Sequence, residues 1–133
     1  MEIKEYRNFD MTEVQRLYSS VGWQAYTEDM AALQRGFENS LLVLGAYENG
    51  ELLGIIRTVG DGATILFIQD ILVFPERQRQ GIGRVLVKAV IERFADVRQV
   101  ELVTDNAPDT VAFYKALGFR ELSEIGCCGF MRC

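Results

Sequence analysis

The loop Arg77-Gln78-Arg79-Gln80-Gly81-Ile82-Gly83-Arg84 concentrates the residue types most able to do chemistry in this chain. It follows an apolar run, Ile65 to Phe74, that Pro75 brings to a stop. It precedes a stretch in which Ile82, Val85, Leu86, Ala89, Val90 and Phe94 recur on one helical face. The first N–H groups of a helix have no partner inside it, and the helix dipole adds partial positive charge there, so this junction suits an anion. Gly81 and Gly83 let a phosphate approach the backbone, and Arg77, Arg79 and Arg84 supply charge-assisted donors. Two glycines at a helix start cost stability, ~1 kcal/mol each in an interior and less in the first turn, which favours a functional reading over an ordinary loop. A Walker loop needs Lys-Ser/Thr after its second glycine, where this chain has Arg84-Val85. A dinucleotide fingerprint needs a third glycine, where this chain has Leu86.

The chain contains no histidine, which excludes Ser-His-Asp and Cys-His catalysis and every histidine metal site. Its three cysteines form no C-x-x-C pair, so metal chemistry is not expected. Asp70 stands in an otherwise apolar strand and is read as sharing a face with Ile68 and Leu72. A buried carboxylate is costly unless bonded or paired. Asp70 therefore either bonds donors at a strand irregularity or binds or deprotonates a substrate ammonium. Trp23 and Tyr26 lie between two helix-patterned segments, where they could cover an apolar or cationic group or simply pack.

The 133 residues suit one domain over 1–133 with one core. Nearly half are apolar, no run approaches a membrane span, and the N-terminal MEIKEYRNFD lacks a signal segment. Adjacent Cys127 and Cys128 plus one more cysteine fit a reducing compartment, and the cytoplasm is expected. A net charge of −5 argues against nucleic acid as the partner and makes the basic loop stand out.

Taken in order, residues 2–7 read as a strand. Asp10 caps a helix to about Ser20, Val21 to Tyr26 form a turn, and Thr27 caps a helix to about Glu38. Leu41–Tyr47 and Leu52–Val59 form a hairpin about Asn49-Gly50. After the strand at 65–74 and the helix that opens at Gly81, Gln99–Thr104 is a fifth strand, and Pro108 starts a helix that Gly118 ends. Strands at Phe119–Ser123 and about Cys128–Arg132 complete the chain. This order makes an α/β mixture in which a right-handed crossover sets the fourth and fifth strands parallel.

Gln78-Arg79-Gln80-Gly81-Ile82-Gly83 matches the pattern Gln/Arg-x-x-Gly-x-Gly/Ala, and Ile71-Leu72-Val73-Phe74-Pro75-Glu76 precedes it. With Phe113-Tyr114-Lys115-Ala116-Leu117-Gly118-Phe119 downstream, correctly ordered and spaced, nearly the whole chain resembles the GNAT superfamily of N-acetyltransferases. The resemblance implies a three-layer fold with a mixed, mostly antiparallel sheet of about seven strands and about four helices, and a splayed fourth and fifth strand. It implies acetyl-coenzyme A as donor, with its pyrophosphate on the backbone N–H groups of Gln80, Gly81, Ile82 and Gly83 and near Arg79 and Arg84, while Gln78 either joins this cofactor site or stabilises the loop. Its pantetheine arm would lie along Ile71, Leu72 and Val73, with Asn106 and Phe113 beside it. Tyr114 would protonate the departing thiolate, and Trp23 and Tyr26 would belong to the acceptor pocket. Cys127 and Cys128 either line that pocket or are small packing residues.

The reaction implied is direct attack by a primary amine of a small molecule or peptide, with no metal and no membrane partner. A homodimer through edge or C-terminal strands is within what the resemblance implies. The ammonium must first lose a proton, to Asp70, Glu28, Asp29 or water. The alternative is a non-catalytic regulator that binds coenzyme A.

Overall fold

In the computed structural model, which describes residues 1–133, Asn49 and Gly50 both take positive φ, 52° and 80°. Left-handed backbone at both central positions is what a type I′ hairpin turn requires, and Asn-Gly supplies it at least cost. The turn joins β2 (Leu42–Glu48) to β3 (Glu51–Gly60). With β1 (Glu2–Glu5), β4 (Ile65–Val73) and β5 (Gln99–Leu102) they form one sheet in the order β1-β2-β3-β4-β5. All neighbours are antiparallel except β4 and β5, which run parallel as expected. Contacts divide the chain into two compact units, Met1–Val103, which holds the sheet, and Thr104–Cys133.

Two helical layers cover the sheet of the first unit. α1 (Met11–Ser20) is capped by Asp10, whose side chain accepts from Glu13 N–H, as the sequence indicates. It is followed by α2 (Gln24–Thr27) and α3 (Met30–Glu38). Val14, Leu17, Tyr18, Leu33 and Phe37 from these helices join Val43, Leu52, Ile55 and Leu72 of the sheet in one core. α4 (Ile82–Arg93) buries Ile82, Leu86, Val87 and Val90 and packs against β2, β3 and β4.

Two local expectations change here. The turn expected over Val21–Tyr26 passes at Gln24 into the short helix α2, which runs to Thr27. The cap of α3 is Asp29 rather than Thr27: the Asp29 side chain accepts from Ala32 N–H, while the Thr27 hydroxyl donates back to the Gln24 carbonyl.

β4 carries an irregularity that reverses one face assignment. Arg57 pairs with Asp70, but the next residue, Thr58, pairs with Ile68, so Gln69 is an extra residue bulged from the ladder. Directly opposed residues share a face, and Arg57 and Thr58 point to opposite faces. Asp70 therefore shares a face with Leu72, whereas Ile68 sits on the other. The parallel pairing of β4 with β5 covers only Ile65 to Ile68 and ends at Leu102, so β4 runs on beyond Ile68 with an open edge.

In the second unit, α5 (Pro108–Ala116) ends before Gly118, whose φ of +95° is the left-handed stop expected there. The sixth and seventh strands are absent, and the sheet has five strands rather than about seven. Glu121 and Glu124 form a reciprocal capping box that winds Leu122–Ile125 into a 3-10 turn, and Gly126 turns the chain at φ +77°. Local side-chain to backbone bonds there take the donors a strand would have needed.

Gly54 marks where β3 and β4 lie too close for any side chain. A Cβ on Gly54 would stand 2.5 Å from the Leu72 carbonyl oxygen and 3.0 Å from Val73 Cα. Gly54→Ala should lower the urea midpoint by the equivalent of ~1–3 kcal/mol without changing the unfolding slope.

Candidate active site

The loop between β4 and α4 is shaped by two residues with left-handed backbone. After a 3-10 turn at Pro75–Arg77, Arg79 takes a left-handed φ of 65° and Gly81 one of 81°. Nothing lies within 4 Å of where a Gly81 Cβ would be, so backbone conformation rather than crowding is what calls for glycine. Gly81 caps α4 with no side-chain bond, and the first intrahelical donor is Val85 N–H to the Gly81 carbonyl. The N–H groups of residues 79 to 84 consequently have no acceptor within the protein, at the positive end of a twelve-residue helix. Arg79 and Arg84 are exposed beside them, and Gln80 and Gly83 complete the turn. Ile82 is buried, so it contributes its backbone while its side chain anchors the helix. Gln78 instead donates from Nε2 to the Val73 carbonyl at 3.1 Å, tying the loop back to β4. Arg77 pairs with Glu48 at 3.3 Å.

The open edge of β4 offers backbone groups alternately. Phe74 N–H donates to the Leu53 carbonyl of β3, so Phe74 and Leu72 direct their groups toward β3. Ile71 and Val73 direct theirs to the open side. Of the three residues expected along this edge, Leu72 is thus turned inward, a correction that follows from strand alternation. The Val73 carbonyl is already taken by Gln78, leaving the Val73 N–H and both groups of Ile71.

Asp70 is 2% exposed and accepts three bonds. Tyr18 Oη donates to Oδ2 at 2.8 Å, Tyr26 Oη to Oδ1 at 2.7 Å, and Arg57 Nε to Oδ2 at 2.7 Å. Its carboxylate is paired and bonded as a buried charge must be. Gln69 Nε2 donates to Tyr26 Oη at 3.0 Å, so the bulged residue closes the same network. Burial, and then the Asp70 charge, hold the Tyr18 hydroxyl above its ordinary value of 10.0, and burial chiefly raises Tyr26. Trp23 lies with its ring centroid 6.0 Å from that of Tyr26 and 6.1 Å from that of Tyr18. Trp23 and Tyr26 are thus brought to Asp70, while Glu28 and Asp29 are exposed on the same helical segment.

Arg57 and Tyr18 were not among the sequence candidates. Arg57 is the lone cation in the apolar run Leu52 to Val59, and Asp70 the lone acid of the next strand, a complementarity that could have paired them.

In the second unit Tyr114 is 9% exposed, with Phe113 at 5.0 Å and Phe119 at 5.8 Å edge-on between ring centroids. Burial, and then the charge of Asp105, raise its hydroxyl above 10.0, so it stays protonated at neutral pH. Asn106 is exposed one residue before Ala107, whose N–H is held by Asp105. Cys127 and Cys128 are exposed free thiols.

The Acetyltransferase (GNAT) family description matches residues 8–119. A GNAT-family acetyltransferase from Streptococcus pneumoniae superimposes with a TM-score of 0.89 at 36% identity, covering 99% of this chain and 96% of that one. The ribosomal-protein-S18-alanine N-acetyltransferase of Escherichia coli gives 0.75 at 25% identity, over 90% of this chain and 77% of that one. Among curated proteins, the uncharacterized N-acetyltransferase ycf52 of Pyropia yezoensis is 29% identical over 119 residues, 85% of this chain. This chain spans 66% of that relative's length.

Removing Arg57 would leave Asp70 buried and unpaired. Arg57→Met should cost ~3–5 kcal/mol in denaturant unfolding, and adding Asp70→Asn should recover part of it. A second expectation concerns alkaline pH. Tyr18 ionises near 10 when unfolded and higher when folded, so its contribution is intact below pH 10 and is lost as pH rises above it. Urea titrations from pH 8 to 11 should show that decline, and it should be shallower in Tyr18→Phe.

Proposed function

The chain belongs to the acetyltransferase (GNAT) family, and on that premise we propose that it transfers an acetyl group from acetyl-coenzyme A to a primary amine of a small molecule or peptide. The observation that carries the reading is the run of unpaired N–H groups from residue 79 to residue 84 at the start of α4. These donors, with Arg79 and Arg84, fit a pyrophosphate, which needs several fixed N–H groups and positive charge together. The open edge at Ile71 and Val73 fits an amide-bearing arm bonded like an added strand. Acetyl-coenzyme A supplies the acyl group as a thioester.

In the reaction, the neutral amine attacks the thioester carbonyl directly, and the Val73 N–H stabilises the oxyanion that forms. The thiolate leaves as the tetrahedral centre collapses and takes the proton of Tyr114. A thiol ionises near ~8.5, so its thiolate leaves readily and the tyrosine adds at the low end of general-acid effects. Asp70, bonded to three donors, acts by fixing Tyr26 and Arg57 rather than by taking the ammonium proton. Exposed Asp29 and Glu28 or water carry that proton outward. The free, exposed thiols suit a reducing compartment such as the cytoplasm.

Acetyl-coenzyme A at 100 times its dissociation constant should stabilise the protein by ~2.7 kcal/mol in thermal unfolding. Gly83→Glu, which adds a carboxylate among the same N–H groups, should abolish that shift, and no shift in the unaltered protein would end this reading. Tyr114→Phe should keep the shift and lower turnover about 10²-fold. An unchanged rate would remove Tyr114 from the mechanism.

A further inference from the structure

A cavity of about 240 Å3 opens beside the Asp70 network, bounded by Tyr26, Asp29, Ala32, Gly36 and Arg57. Its floor is a cation whose donors are not all used. Arg57 is 6% exposed. Its Nε donates to Asp70 and its Nη1 reaches Ser40 Oγ at 3.3 Å, which leaves Nη1 a second N–H. Arg57 and Gly36 both line the cavity, and the Arg57 atom beside Gly36 is Nη1. Gly36 keeps that wall clear: a Cβ there would lie 3.2 Å from Arg57 Nη1.

We infer that this cavity binds a carboxylate carried by the amine acceptor, which takes the second Nη1 N–H of Arg57. The inference rests on the acetyl transfer proposed above and names the class of its acceptor: amino-acid-like zwitterions. A guanidinium N–H is a charge-assisted donor that suits a carboxylate, and Arg57 is 6% exposed. Asp70 offsets the charge of Arg57, but its own oxygens are shared with two tyrosine hydroxyls. Exposed Asp29 repels a second anion and attracts an ammonium, so the lining favours a zwitterion over a dianion. The volume is below the ~300–1,000 Å3 of pockets for larger ligands and suits an amino acid.

The test uses matched sets: alanine, alaninamide and ethylamine; leucine, leucinamide and 3-methylbutylamine. Each is incubated with the full chain and acetyl-coenzyme A, and thiol release is followed. Free amino acids should exceed their amides and decarboxylated amines in kcat/KM by roughly tenfold or more, the scale of one charged hydrogen bond. Ala32→Leu fills the cavity and leaves the Arg57–Asp70 pair intact. It should raise KM for the amino acid roughly tenfold while KM for acetyl-coenzyme A stays the same. Arg57→Lys, which keeps the charge and loses the fork, should do likewise. Amides or simple amines used equally well or better would overturn the inference, as would an Ala32→Leu enzyme with unchanged KM. So would no acetylation of any amino acid by a protein that acetyl-coenzyme A still stabilises. Loss of that stabilisation as well would instead bring down acetyl transfer itself.

Discussion

The ion pair of Arg57 and Asp70 is the contact on which the arrangement of the first unit depends. It joins β3 to β4 across the sheet, and the two tyrosine hydroxyls that complete it come from α1 and α2. A charge pair in such a place gains little net stability over a well-packed apolar pair, because both ions have left water. What it gives is direction. An apolar contact would tolerate sliding, whereas three donors on one carboxylate fix the position of α1 and α2 relative to β4. The aromatic cluster of Tyr18, Trp23 and Tyr26 inherits that position.

The bulge at Gln69 does two things with one residue. It swings Asp70 to the face of α1, and it coincides with the end of the β4–β5 ladder, since Ile68 is the last paired residue. One irregularity thus sets the buried acid on one face and opens the strand edge beside it. Downstream, Gln78 holds the Val73 carbonyl, so the loop before α4 and the open edge are tied together by a side chain of the loop. Bulges recur beside functional sites for this reason: they re-aim side chains and terminate pairing without breaking the strand.

Much of this could be read from the residues in advance, and the misses share a cause. The Asn49-Gly50 hairpin, the Asp10 cap, α4 and the glycine-arginine loop are set by local chemistry within a few residues, and local chemistry is what a sequence displays. The partnership of Arg57 with Asp70 spans strands and depends on register, as does the reversal of Ile68, and register is invisible without the ladder. Thr27 and Asp29 are both good caps two residues apart, and residue type alone does not choose between them; Asp29 accepts from Ala32 N–H while Thr27 donates to the turn before it. The last two strands were inferred from β-prone composition at Phe119–Ser123 and Cys128–Arg132, yet strands need neighbours. The capping box at Glu121 and Glu124 offered the chain a local solution instead.

Trp23 is the only tryptophan in the chain, and its ring lies against Tyr26, whose hydroxyl reaches the buried carboxylate. It is also 37% exposed, so its emission responds to whatever excludes water from that corner. The intrinsic fluorescence of this protein is therefore a local signal rather than an average over the fold. Tyrosines within energy-transfer reach feed the same emitter, which makes excitation at tyrosine wavelengths a second, distance-sensitive channel. The molecule carries its own unlabelled optical reporter beside the Asp70 network.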